Sequence, residues 1–155
     1  MKIIKCCLAL FFFSALSLSA QTAAEMDTML DTQSVTAAAS ARFVLGAADL
    51  LPAGLEGKAA ETAAYDMARS RGWLSPSADE ALTLEEAAYL VMGAFGIEGG
   101  VMYNLAPGPR YAYREMTYRR LIQGRSDPDM NVSGVRLLQI ISRTQSYTDS
   151  TGGSP

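Results

Sequence analysis

The sequence predicts an all-α protein of about five helices, and three observations lead to this fold class. Apolar residues recur at steps of three and four in several segments, as one face of a helix requires. Hydroxyl residues that can cap a helix precede several of these segments, and glycine or proline follows most of them. No segment carries a convincing strand pattern.

The first twenty residues have the pattern of a secretory signal peptide. Two lysines charge the start, an apolar run extends from Cys6 to about Leu16, and small residues end it. The run is shorter than the roughly 20 residues of a membrane-spanning helix. We therefore predict cleavage after Ala20, or alternatively Ser19, and no transmembrane segment in the mature chain. Cys6 and Cys7 fall within the signal, so the mature chain has no cysteine.

Composition limits the chemistry that the mature chain can perform. The protein contains no histidine, the commonest general base and metal ligand, and cleavage would remove every thiol. The net charge is −3 for the whole chain and −5 without Lys2 and Lys5 of the signal. Of this −5, residues 21–105 carry −8 and residues 106–155 carry +3, and every basic residue of the second part is arginine. This division predicts either an anionic partner or neutralisation of one half by the other.

The N-terminal elements follow in order. Residues 21–33 are polar, and we expect a flexible mature N-terminus. A first helix is predicted over residues 34–51, with Ser34 as its cap and a Pro-Ala-Gly breaker behind it. A second helix is predicted over residues 58–71, where alanines and a tyrosine recur at helical spacing and glycine follows.

Three more helices are predicted in the remaining chain. The third begins after Thr83, and Glu86 stands three residues on as the partner of a capping box. A glycine- and proline-rich loop leads to a fourth helix over residues 110–122, and a fifth follows the cap Ser133. The tail, residues 144–155, is rich in serine, threonine and glycine and is expected to be disordered.

The sequence contains a diverged internal repeat. Sliding it by 48 places Ala64-Tyr65 over Ala112-Tyr113, and sliding it by 50 places Thr83 over Ser133 and Ala87 over Leu137. We predict two helix-loop-helix repeats at about 60–97 and 110–143. They would bury their faces against each other within one helical domain of residues 34–143, with the first helix as a lid.

Both copies carry parts of a known motif. In the first, "LTLEEAAYLVMGAFG" reproduces an I-T-x-x-E-A-A helix start through Leu82, Thr83, Glu86, Ala87 and Ala88, and Gly72-Trp73-Leu74 matches a preceding G-I-I turn. In the second, "LIQGRSDPDM" matches I-I-x-G-x-x-D-x-x-F through Leu121, Ile122, Gly124, Asp127 and Met130. The order of these elements resembles the S-layer homology (SLH) motif, over residues 60–143.

The resemblance implies a non-catalytic module that holds an exported protein to cell-wall polysaccharide or peptidoglycan. SLH domains usually have three repeats, and the Arg of their T-R-A-E segment contributes to the binding site. Here that Arg is Leu84 in the first copy and Gly134 in the second, Arg136 replaces the second Glu, and no third copy is found. The resemblance therefore implies the scaffold more strongly than the binding site.

The candidate ligand-binding residues lie mainly on the fourth predicted helix. On a helix, Tyr111, Arg114 and Tyr118 share one face, with Arg110 a turn earlier, whereas Tyr113 and Met116 face the core. Arginine beside tyrosine suits recognition of carboxylates and sugars, although pairing with the acidic half of the chain is the alternative.

Trp73, Arg119 and Arg125 are the remaining aromatic and basic residues for which the sequence predicts a position. Trp73 follows a helix-ending glycine, which predicts a core position, or alternatively a sugar-stacking platform. Arg119 and Arg125 are expected to be solvated.

Two acidic motifs have simpler explanations than chemistry. Asp127, Asp129, Asn131 and Ser133 have the alternate spacing of a calcium loop, but the loop's required glycine and bidentate glutamate are Val132 and Leu138. A turn that leads into a helix cap accounts for them. The carboxylates Asp79, Glu80, Glu85 and Glu86 lie before or at a helix start, where the cap and the helix dipole favour negative charge.

Two functions from different classes are consistent with the sequence. The first is an exported, non-enzymatic protein of the periplasm or cell surface, an SLH-like module that binds cell-wall glycan or peptidoglycan. The second is a structural or assembly subunit that binds an envelope protein through the Arg/Tyr helix face. A glycosidase that relies on carboxylates alone is a distant third. No catalytic residue, metal, cofactor or nucleic-acid partner is predicted.

Overall fold

A computed structural model describes residues 24–152, and this part of the chain contains seven helices, with the longest loops at 71–83 and 119–133. The helices are α1 (24–31), α2 (Ala37–Ala47), α3 (Gly57–Ser70), α4 (Leu84–Ala94), α5 (Val101–Leu105), α6 (Pro109–Tyr118) and α7 (Gly134–Gly152). Between them, the described residues form no strand, only two isolated bridges. The all-α prediction is confirmed, and the described helices outnumber the five expected. The predicted signal peptide, 1–20, lies outside the described residues.

Local signals placed α3 and α4 correctly. α3 begins and ends within one residue of the prediction. At the start of α4, the Glu86 carboxylate accepts hydrogen bonds from the backbone N–H and the hydroxyl of Thr83, at 2.9 and 2.7 Å. This capping box satisfies groups that the first turn of a helix leaves unpaired.

Three predicted helix boundaries were wrong. The first helix, predicted to end at residue 51, ends at Ala47. The cap of α2 is Thr36 and not Ser34, because the Thr36 hydroxyl accepts the N–H of Ala39 at 3.3 Å. α6 ends at Tyr118, four residues before the predicted end, because Arg120 adopts a left-handed conformation with φ of 60°. That turn directs the following apolar pair, residues 121–122, into the core.

The segments on either side of the predicted domain, expected to be flexible or disordered, are helical. Residues 24–31, expected to be flexible, form α1, whose Met29 is buried against the start of α7. The tail predicted to be disordered from residue 144 is helical as far as Gly152, because α7 continues with Thr144 buried and Tyr147 packed against the core. Both segments are mainly polar, and long-range contacts hold each of them. Glu25 pairs with Arg42 in the first segment, and in the second Gln145 donates to the carbonyl of Ala47 at 3.1 Å.

Three helix starts meet in a ring of backbone hydrogen bonds. Val35, Leu82 and Val132 each precede a hydroxyl residue and a helix, and all three are fully buried. The N–H of Val35 donates to the carbonyl of Val132, that of Val132 to Leu82, and that of Leu82 to Val35, at 2.9 to 3.0 Å. Each residue therefore donates to one neighbour and accepts from the other, and the ring closes.

A second set of bonds secures the same three helix starts. The first helical residue of each donates its N–H to a carbonyl of a neighbouring loop: Ala37 to Glu80, Leu84 to Met130 and Gly134 to Thr32, each at 2.9 Å. These amides would otherwise be unpaired at the positive ends of the helix dipoles. The helix starts are thus fixed to one another.

The ring gives α2 the same place in the fold as α4 and α7. The three residues of the ring are 47 and 50 residues apart in the chain, close to the offsets of 48 and 50 in the sequence repeat. The prediction that the first helix is a lid over two repeats was therefore wrong, since its start is one of three equivalent positions. The sequence did not reveal this third helix start, because the three starts share only an apolar residue followed by a hydroxyl residue.

The core lies around α4. Seven of its eleven residues are buried, and it packs most extensively on α6 and also on α2 and α7. α3 contacts α2 through three fully buried alanines, Ala60, Ala64 and Ala68. Small side chains at this interface allow the two helix backbones to approach closely, and they leave the opposite face of α3 in solvent.

Candidate functional site

The buried and exposed sides of α6 are largely those that its sequence pattern predicted. Met116 is fully buried, and Tyr113 is half-buried with its hydroxyl donating to Ser126 at 3.1 Å. On the other side, Arg110, Arg114 and Tyr118 are exposed and Tyr111 is half-buried. The residues of the predicted ligand-binding face are thus available to a partner, while Tyr113 and Met116 serve the fold.

α5 lies beside this exposed face and forms a groove with it. The groove has a volume of about 290 Å³, and Tyr111, Arg114 and Tyr118 line one of its sides. Gly100, Val101, Met102 and Tyr103 line the other. Three of the five predicted ligand-binding residues therefore come together, with Arg110 one turn away from Arg114 on the same helix.

Several large apolar side chains around this groove are exposed. The exposed fraction is 75% for Val101 and Leu105, 55% for Met102 and 86% for Tyr118. We call Val101, Met102, Leu105, Arg110, Tyr111, Arg114 and Tyr118 the α5–α6 surface. The three α5 residues were missed in the sequence because their segment was assigned to a loop, although an apolar pair followed by a third apolar residue was visible there.

One aromatic contact holds α5 against the rest of the fold. The ring of Tyr103 meets that of Tyr89 on α4 edge to face, with centroids 6.3 Å apart, and the N–H of Gly100 donates to the Glu115 carboxylate at 3.2 Å. Burial, and secondarily Tyr89, raises the pKa of Tyr103 above its ordinary value. No residue of α5 is fully buried, so this helix is docked by few contacts.

Arg119 does not belong to the exposed basic face. It was expected to be solvated, but its Nε lies 2.8 Å from Glu115 Oε1, Nη2 donates to the carbonyl of Glu98 at 2.6 Å, and Nη1 donates to the hydroxyl of Tyr147. The prediction failed because the partners lie 21 and 28 residues away in the chain.

This network also determines the charge of the α5–α6 surface. Glu115, the acidic residue in the groove, is neutralised by Arg119. Arg110 and Arg114 form no ion pair with any residue in the described part of the chain. The surface therefore carries two cationic side chains among apolar and aromatic ones.

Trp73 lies apart from the groove and serves the packing of α4. A Cβ atom on Gly93 would lie 2.5 Å from the indole, so the ring occupies the space that glycine leaves. The guanidinium of Arg71 sits over the ring, 4.9 Å from its centroid. Trp73 is partly buried against the core. It therefore lies at the edge of the core and not inside it, as the core prediction would require.

Side chains of both acidic motifs form hydrogen bonds with backbone N–H groups two or three residues away. The carboxylate of Asp127 accepts the N–H of Asp129 at 3.2 Å, and the Ser133 hydroxyl accepts the N–H of Arg136 at 3.4 Å, as a turn before a capped helix requires. Glu80 accepts the N–H of Ser77 at 3.0 Å. Among residues 24–152, no group of three or more acidic side chains is placed to hold a metal ion.

The two positions that the sequence resemblance matches to the SLH arginine are both buried. Leu84 is fully buried at the start of α4. At Gly134, a Cβ atom would lie 1.7 Å from the carbonyl oxygen of Met29, so no side chain fits there without displacing α1. Neither position could present an arginine to a ligand in this arrangement.

Comparison with protein-family models, curated proteins and solved structures found no match to the chain. Within residues 24–152, no helix combines the length and apolar character needed to cross a membrane.

Proposed function

We propose that this chain is an exported, non-enzymatic protein of the periplasm or cell surface that acts as an assembly subunit. In this proposal the α5–α6 surface binds a protein partner. The observation that carries the proposal is the exposure of Val101, Leu105 and Tyr118, each at least three-quarters in solvent, beside the unpaired Arg110 and Arg114. Methionine, tyrosine and arginine are the residues enriched where proteins meet.

The aliphatic side chains favour a protein over a polysaccharide. Covering Val101, Met102 and Leu105 removes apolar area from water, at about 25 cal/mol per Å². A protein partner can supply apolar side chains to that contact, whereas a glycan presents mainly hydroxyl groups. Apolar patches rimmed by polar residues are typical of protein interaction sites.

Three features support an SLH-like scaffold without the family's binding site. The three equivalent helix starts, spaced close to the offsets of the sequence repeat, match the usual number of SLH repeats. The buried Leu84 and the crowded Gly134 stand where the family's arginine would be. We therefore place binding on the α5–α6 surface and propose that the ring serves stability.

Binding of cell-wall glycan or peptidoglycan is the second candidate function. It is favoured by the Tyr118 ring, 86% exposed on the same helix as Arg110 and Arg114. An exposed ring can stack on a sugar, and guanidinium groups bind the carboxylates of peptidoglycan peptides.

A cross-linking experiment tests the first candidate. A photoreactive amino acid is placed at position 118 in the cells that make the protein, with position 62, exposed on α3, as the matched control. We expect a discrete protein cross-link from position 118 and none from position 62. Absence of any protein adduct at 118, with a folded and exported chain, would contradict the proposal.

Co-sedimentation with purified sacculi tests the second candidate. The two variants to compare are Arg110→Ala/Arg114→Ala and Val101→Ser/Leu105→Ser. Glycan binding predicts that the wild type pellets, that the arginine variant stays in solution and that the serine variant behaves like the wild type. If the folded wild type stays in solution, glycan binding is excluded.

A further inference from the structure

A second surface of the chain complements the α5–α6 surface. α1 exposes Met26 and Leu30, with exposed fractions of 38% and 44%, and the neighbouring Asp27 and Asp31 are also exposed. Two other residues of α1 face the fold, since Glu25 pairs with Arg42 of α2 and Met29 is buried. α1 therefore presents an acidic and apolar stripe of two turns.

The spacing of charges on the two surfaces is the same. Asp27 and Asp31 are four residues apart on α1, and Arg110 and Arg114 are four residues apart on α6. Four residues correspond to about 6 Å along a helix axis. Two helices laid side by side could thus form two Asp–Arg pairs in register, while Met26 and Leu30 cover apolar side chains of the groove.

These charged groups are unused within one molecule. None of the four forms an ion pair with another residue in the described range 24–152, and all four are exposed. We infer that the partner of the α5–α6 surface is a second copy of this chain, whose α1 lies along the groove. The inference rests on the proposed function, since it names the partner of the same surface.

The geometry of such a contact predicts the form of the assembly. The two surfaces consist of different residues, so a pair joined by one contact still has one free α1, on one molecule, and one free groove, on the other. Contacts of this head-to-tail kind produce rings or filaments and do not stop at a dimer. The faces are small, so weak association is expected, with a dissociation constant of about 10 µM to 1 mM.

Analytical ultracentrifugation of the mature chain tests the inference. The wild type should form oligomers larger than dimers as its concentration rises, and added salt should reduce them because exposed charge pairs are screened. A wild type that remains monomeric at about 1 mM would overturn the inference. The proposed function would survive that result if position 118 still cross-links to a protein of another mass.

Charge reversal tests the two surfaces separately. Asp27→Arg/Asp31→Arg and Arg110→Glu/Arg114→Glu should each weaken self-association at least about tenfold, because like charges then face each other. Mixing the two variants should restore association, since each supplies the complement that the other lacks. Restoration on mixing is an effect that damage to either fold cannot produce.

A matched control changes the net charge without touching α1. Asp66→Arg/Asp149→Arg alters two exposed aspartates on α3 and α7, and it should associate like the wild type. If this control loses association as strongly as Asp27→Arg/Asp31→Arg, net charge and not the α1 stripe drives assembly, and the inference fails.

Discussion

The indole of Trp73 occupies the place of a side chain at Gly93 on α4: a Cβ atom there would lie 2.5 Å from the ring. Real Cβ contacts are not that short, so a larger residue at position 93 must displace Trp73. The consequence is a glycine in the last turn of α4 that is required by packing, although glycine lowers helix propensity by about 1 kcal/mol relative to alanine.

Gly93→Ala should destabilise the protein by about 1–2 kcal/mol, because overpacking against an aromatic ring outweighs the gain in propensity. Urea unfolding followed by far-UV circular dichroism measures the change. Gly46→Ala is the matched control. That residue is also in a helix, and its new Cβ atom would lie 4.0 Å from the side chain of Leu51, an ordinary contact distance. The control should be neutral or slightly stabilising. Equal effects of the two substitutions would show that Trp73 does not require the space.

Gly134→Ala should be more damaging than Gly93→Ala. The new methyl group would lie 1.7 Å from the carbonyl oxygen of Met29, and a backbone atom cannot move aside as a side chain can. We expect a loss of about 3 kcal/mol or more, with α1 released from α7. Amide hydrogen exchange would locate the change: protection should fall over residues 24–31 first. Unchanged protection there would mean that α1 is not held by this crossing.

The sequence predicted those elements whose determinants are local. The α4 start was correct because Thr83 and Glu86 bind each other within one turn, and the division of α6 was largely correct because helical periodicity alone separates Met116 from Arg114. These contacts depend on residues three or four apart, which a pattern can reveal.

Elements that depend on distant partners could not be predicted in this way. α5 is docked by Tyr103 on Tyr89 and by Glu115, so its five residues carry no sufficient signal of their own. The same holds for Arg119, whose partner Tyr147 lay in a segment with the composition of a disordered tail. The α5 half of the candidate surface therefore became visible only in three dimensions.

Removing the side-chain contacts of Arg119 should weaken the attachment of α6 to α7. Arg119→Met keeps the apolar stem but loses the bonds to Glu115, the Glu98 carbonyl and Tyr147, and we expect a loss of about 1–3 kcal/mol. Arg114→Met, on an exposed arginine without an ion pair in the described part, should change the free energy of unfolding by less than about 0.5 kcal/mol. If both variants unfold at the same urea concentration, the Arg119 network contributes nothing.

A chain that ends after Arg143 should be markedly less stable than the complete chain. The deletion removes Thr144, which is fully buried, and Tyr147, which packs on the core and accepts a hydrogen bond from Arg119. We expect a loss of at least about 2 kcal/mol, measured as a lower thermal midpoint. A disordered tail would predict the opposite result, an unchanged midpoint, so this deletion distinguishes the structure from the sequence-based expectation.

The stability of the protein should fall at alkaline pH, partly through Tyr103. Burial raises the pKa of this hydroxyl above its ordinary value of 10.0, so the folded state retains the proton where the unfolded state releases it. The contribution is fully present below the unfolded pKa and is lost as pH rises through the folded pKa. Tyr103→Phe removes this titration, so the free energy of unfolding should decline less steeply with pH above about 10 than in the wild type.

Urea titrations at several pH values measure that slope, and Tyr118→Phe, whose ring is largely in water, is the matched control. Tyr103 holds α5 against α4, so its ionisation should also loosen the α5 side of the α5–α6 surface. Partner binding should therefore weaken over the same alkaline range in the wild type. If Tyr103→Phe and the wild type lose stability in parallel, the burial of this hydroxyl has no effect on the pH dependence of stability.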